Sequence, residues 1–151
     1  MKTFSAIAKQ FEDICNAHKQ INTFSKGDIF EADLENKMVF TKAHLTEQGA
    51  TINERDFVFT FDLIVMDLVD ADGANEYDVL NDTFLIISDV YREFKSGLGR
   101  GTPILTSRDF QLGSSISCEP FTDRFENLLA GWKATFSITV PAHLNACNSP
   151  I

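Results

Sequence analysis

From Trp132 to Val140 the side chains alternate without a break. Trp132, Ala134, Phe136, Ile138 and Val140 fall on one side, and Lys133, Thr135, Ser137 and Thr139 on the other. A period of two is that of a half-buried strand, so one face belongs to a core and the other to water. Gly131 and Pro141 bound the run, glycine loosening its entry and proline being unable to donate to a continuing ladder. The preceding segment, Glu119 to Asn127, is polar and acidic and carries only Phe121 and Phe125 as anchors. A sheet with one apolar face must bury it against a second layer, and the residues upstream have to supply it.

They supply two helices and more strands. Phe4, Ile7, Ala8, Phe11, Ile14 and Cys15 recur at three and four, predicting an amphipathic helix from Phe4 to His18 with Thr3 as its cap. Ser25-Lys26-Gly27-Asp28 reads as a turn, Ile29–Leu34 as a short strand, Glu35-Asn36-Lys37 as a second turn and Met38–Leu45 as a strand. Interruptions at Gln48-Gly49 and Asn53–Asp56 leave Ala50–Ile52 as an edge piece. Phe57–Leu68 is the longest strand candidate, with Phe57, Phe59, Phe61, Leu63 and Val65 on one face. The other face starts polar and ends with Ile64, Met66 and Leu68, so it is expected to be half exposed at its start and covered on both sides at its end.

An acidic loop, Asp67–Asp78, leads into a second helix. Its expected stripe is Leu80, Phe84, Ile87, Tyr91, Phe94 and Leu98, with Val79, Thr83, Ile86 and Val90 beside it. Gly97–Gly101 closes that helix, and Ile104–Phe110 and Leu112–Ile116 read as strands or strand fragments. The order predicts an α+β fold: one antiparallel sheet with two helices packed on one face. With 151 residues the chain has the length of one domain, residues 1–141, followed by a polar tail at 142–151. Fourteen phenylalanines exceed what one small core usually takes, so either the core is rich in phenylalanine or some of the rings sit at interfaces.

Charge narrows the functions. A net charge of -9 opposes tight nucleic-acid binding through phosphate neutralisation, although an acidic wall lets DNA slide past. Cys15, Cys118 and Cys147 form no metal-like spacing and are odd in number, which predicts reduced thiols in a cytosolic setting. No run approaches the ~18 apolar residues of a membrane span, and a soluble protein is expected.

Chemical motifs are sparse. His18, His44 and His143 lack HxxxH spacing, and each is expected to be structural. Asp70, Asp72, Asn75, Glu76 and Asp78 offer oxygen ligands but not in the order of a calcium loop, so a solvated loop capping the second helix through Asn75 or Asp78 is expected. Gly97-Leu98-Gly99-Arg100-Gly101 closes a helix, whereas a phosphate cradle opens one. No cofactor, metal or catalytic residue is assigned.

The run Cys118–Trp132, with Pro-Phe-Thr-Asp-Arg-Phe-Glu-Asn (120–127) as its most specific part, the closing Thr135–Pro141 and the earlier Phe59–Asp67 resemble segments of small virion proteins of tailed bacteriophages. The chain is similar over nearly its whole length to head-to-tail structural proteins of the crAss-like phage group, and its element order resembles the tail-terminator or tail-completion fold. The resemblance brings no catalytic motif. It implies a non-enzymatic ring of six or twelve copies between portal and tail, meeting the portal, other neck rings or tail proteins, through which genomic DNA passes without specific binding. Asp70, Asp72, Asn75, Arg100 and Arg124 are then candidate contacts to neighbouring subunits or the lumen. A small α+β ligand-binding module is the alternative, and it calls for a deep apolar pocket with converging polar groups. An enzyme ranks third and calls for Cys118 or a histidine paired with a base in a cleft.

Overall fold

Backbone pairing turns the alternating run into the centre of a sheet. The computed structural model describes residues 3–27, 40–70, 72–96, 111–113, 115–123 and 129–141. Among them the elements are α1 (Thr3–Ala17), β1 (Thr23–Lys26), β2 (Lys42–Ile52), β3 (Asp56–Leu68), α2 (Glu76–Ser96), β4 (Gln111–Leu112), β5 (Ser117–Asp123) and β6 (Leu129–Pro141). β3 and β6 pair antiparallel along their whole length, from Asp56 opposite Pro141 to Leu68 opposite Leu129. β2 lies on the other side of β3, also antiparallel, and β1 joins β2 in parallel. β4 and β5 both pair with β6. Because β3 occupies one side of β6, the two short strands share the opposite side end to end.

This is the expected α+β fold, with both helices over one face of a sheet that is antiparallel except for the β1–β2 edge. The register sets the core: Phe61 stands opposite Phe136, Leu63 opposite Ala134 and Leu45 opposite Leu63. All of these side chains are buried together with Ile7, Phe11 and Ile14 of α1 and Ile86, Ile87, Val90 and Phe94 of α2. Phe11 is the hub, its ring centroid 4.5 Å from Phe94, 5.0 Å from Phe136 and 5.7 Å from Phe61. Trp132 ties α2 to the sheet by donating from Nε1 to the Leu80 carbonyl at 2.8 Å. On the far face Ile64, Met66 and Leu129 form a second cluster with Phe40 and Phe121 against it, as the loss of polarity along β3 predicts.

Five local expectations change. Residues 23–26 form strand β1 rather than leading into a turn at Ser25, because a short edge strand needs only one apolar contact, Phe24, and polar partners for Thr23 and Ser25. Gln48-Gly49 is a bulge within β2, where the register shifts between Glu47 and Gly49, so Ala50–Ile52 continues the strand. Residues 117–123 form β5, which tolerates Pro120 as a strand on the sheet's rim does. Gly131 lies inside β6 rather than at its entry, and a Cβ there would collide with the Val65 carbonyl of β3. In α2 the buried line is Val79, Thr83, Ile86, Ile87, Val90 and Phe94, and Phe84 turns outward. Thr83 can be buried because its hydroxyl donates to the Val79 carbonyl at 2.7 Å. The expected strands Ile29–Leu34 and Ile104–Phe110, the Gly97–Gly101 closure and the tail 142–151 lie outside the described residues.

Candidate functional site

The acidic loop gathers three of the five candidate residues into one turn before α2. Gly73 adopts φ 72°, and its N–H donates to the Asp70 carbonyl at 2.8 Å. Asn75 Oδ1 accepts from the Asp70 N–H at 2.7 Å, and Asp72 Oδ1 accepts from the Ala74 N–H at 3.0 Å. Asn75 begins the helix through its main-chain carbonyl, which accepts from the Val79 N–H at 3.0 Å. Its side chain therefore closes the loop instead of capping the helix, and Glu76 and Asp78 place negative charge in the first turn, where the dipole favours it. Among the described residues no three His, Cys, Asp or Glu side chains converge as a metal set. Arg100 and Arg124 lie outside the described residues.

The histidines of the described residues both serve as clips. His18, at the end of α1, accepts from the Gln20 N–H at Nδ1 (3.1 Å), which leaves Nε2 to donate to Asp89 Oδ2 of α2 at 3.0 Å. His44, fully buried on β2, meets the Ser25 hydroxyl at Nδ1 (2.6 Å) and the Gly27 carbonyl at Nε2 (3.1 Å). A carbonyl can only accept, so Nε2 carries the proton and Ser25 donates to Nδ1. This Ser–His pair holds edge strand β1 on β2. Lys42 and Asp62 are buried on the same face, Asp62 accepting from the Thr135 hydroxyl at 2.8 Å. No sequence spacing announces His18–Asp89 or Ser25–His44, because each pair is made by packing between elements far apart in the chain.

A groove of about 520 Å³ opens beside His18, lined by Ile14, Ala17, Lys19, Gln20, Asp89, Arg92 and Glu93. It carries two cations and two carboxylates, and Asp89 already holds His18 and stands 4.0 Å from Arg92. Ile14 and Ala17 lie among these charged groups, so its lining is mixed. The two thiols among the described residues are quiet: burial pushes Cys15 up to about 12 and raises Cys118, so neither is a ready nucleophile at neutral pH.

What stands out is an arm. β1 covers β2 only from Lys42 to Leu45, and from Glu47 to Arg55 every residue of the β2–β3 hairpin is exposed. On the β3 strand of the hairpin Phe57 and Phe59, opposite Ile52 and Ala50, are half-buried, with ring centroids 6.3 Å apart, and Phe4 of α1 lies 5.7 Å from Phe59. At the other end of the helix-bearing face, Phe84 of α2 packs edge-on to Trp132 at 5.3 Å, with Tyr77 and Leu85 exposed beside it. Part of the expected surplus of phenylalanine is thus spent at the surface.

Comparison with protein-family models found no match, and comparison with curated proteins found none. No helix of the described residues is long and apolar enough to cross a membrane.

Proposed function

We propose that the chain is a non-enzymatic structural protein that works as a closed ring of six or twelve identical copies, in the neck or at the top of the tail of a tailed-phage virion. The observation that carries the ring is the hairpin arm. Ile52 and Phe57 stand opposite each other beside its turn and Phe59 follows two residues on, apolar surface that a single copy leaves partly wet. Burial in a neighbour recovers about 25 cal/mol for each Å² removed from water. The charge of -9 suits a lumen that must pass DNA without gripping it. The virion assignment rests on the resemblance of residues 59–67, 118–132 and 135–141 and on the element order. Copies assemble in the host cytoplasm and reside in the particle. Proteomic mass spectrometry of purified virions, followed by a map of the neck, tests the assignment; a chain absent from purified particles would remove it.

A further inference from the structure

The two apolar patches sit at opposite ends of one face. The arm patch lies beside Ile138 and Val140, which pair with Phe59 and Phe57, and the helix patch packs on Trp132 through Phe84. Six to eight residues of β6 separate them, roughly 20–25 Å at strand rise. Tyr77 is 87% exposed, Leu85 50% and Phe84 44%, while Ile52 is 79% and Phe4 44% exposed. With aromatic side chains offering about 150–250 Å² each, either patch presents roughly 300 Å².

We infer that the arm patch of one copy seats on the α2 stripe of the next, an inference that rests on the ring reading and names its contact. Two different patches on one chain make a heterologous contact, the kind that closes rings. Their combined area of roughly 600 Å² falls below the ~1,200 Å² of a stable pairwise interface. An isolated pair is therefore transient, whereas in a ring each copy makes the contact twice, once with its arm and once with its helix.

Charge sets the direction of seating. The arm carries Glu47, Glu54 and Asp56 against Arg55. The stripe Tyr77, Phe84, Leu85 and Ser88 continues at helical spacing to Arg92, whose side chain is 75% exposed and stands 4.0 Å from an Asp89 that is already bonded to His18. Asp78 and Asp82 rim the other end of the stripe, so the acidic arm tip points toward Arg92.

Cross-linking with a short bis-maleimide, in a background with Cys118→Ser and Cys147→Ser, traps a transient contact. Ile52 and Leu85 are exposed, so Ile52→Cys and Leu85→Cys leave the core intact, and far-UV circular dichroism verifies folding. The mixture of the two variants is expected to give a covalent dimer that neither gives alone, and a chain carrying both is expected to give a ladder ending at the ring. A ring seen by native mass for the unsubstituted protein, without the mixed cross-link, overturns this interface and leaves the ring reading standing. Cross-linking of Ile52→Cys copies to one another overturns it in favour of an isologous pair. A protein that is monomeric at every concentration and gives no cross-link overturns both.

Discussion

Replacing Phe11 by alanine removes the ring that joins the two layers. Phe11 is fully buried, and its ring meets Phe94 of α2, Phe61 of β3 and Phe136 of β6, so no single neighbour can move in to fill the space. Large-to-small changes of this kind cost about 3–5 kcal/mol through lost transfer energy and the cavity left behind. For a domain of this length each kcal/mol lowers the midpoint by about 2–4 °C, so a fall of roughly 6–20 °C is expected. Thermal and urea unfolding followed by far-UV circular dichroism reads the change, with the urea slope unaltered. Phe4→Ala is the internal comparison: its ring also touches Phe59 and Phe61 but is nearly half exposed, and roughly 1–2 kcal/mol is expected. A cost for Phe11→Ala below about 1 kcal/mol, or one no larger than that of Phe4→Ala, would refute the placement of α1 over the β3–β6 pair.

Three further outcomes follow from particular contacts. Gly131→Ala is expected to destabilise by more than the roughly 1 kcal/mol typical of a point substitution, since its methyl meets β3 backbone that cannot move aside; unfolding in urea checks it. Gln10 is buried with an amide nitrogen that makes no hydrogen bond, so Gln10→Leu is expected to stabilise by roughly 1–2 kcal/mol in the same assay, and a loss of stability would contradict this environment. At pH 8 iodoacetamide is expected to label Cys118 before Cys15, read by peptide mass. Because folding raises the Cys15 thiol from 9.0 to about 12, its contribution to stability is complete below pH 9 and is lost as the pH rises toward 12.

Much of the framework was legible because periodicity reports burial directly. The alternation at 132–140 and the loss of polarity along 57–68 located the two central strands and both faces of β3, and the three-and-four spacing at 4–15 located α1. Pattern failed where one side chain sufficed. β1 shows a single apolar residue, Phe24, and β5 is polar and contains Pro120, so neither carries a period to read. In α2 the hydrophobic residues are too many to fix the buried line, and Thr83, satisfied by its own helix, took a core position while Phe84 went outside. The acidic loop was correctly placed before α2, but the use of Asn75 to close the loop depends on a backbone path that composition does not encode. The arm was hidden because its bulge at Gln48-Gly49 reads as a break. Clips such as His18–Asp89 arise only when helices pack.

Closure of identical copies around a hole is the claim on which the functional reading depends. Native mass measurement of the full chain over a range of concentrations tests it most directly. The expected result is a single-copy species giving way to one closed assembly of six or twelve copies with little between. A chain that keeps the mass of one copy, 16.9 kDa, at the highest concentration reached would contradict it.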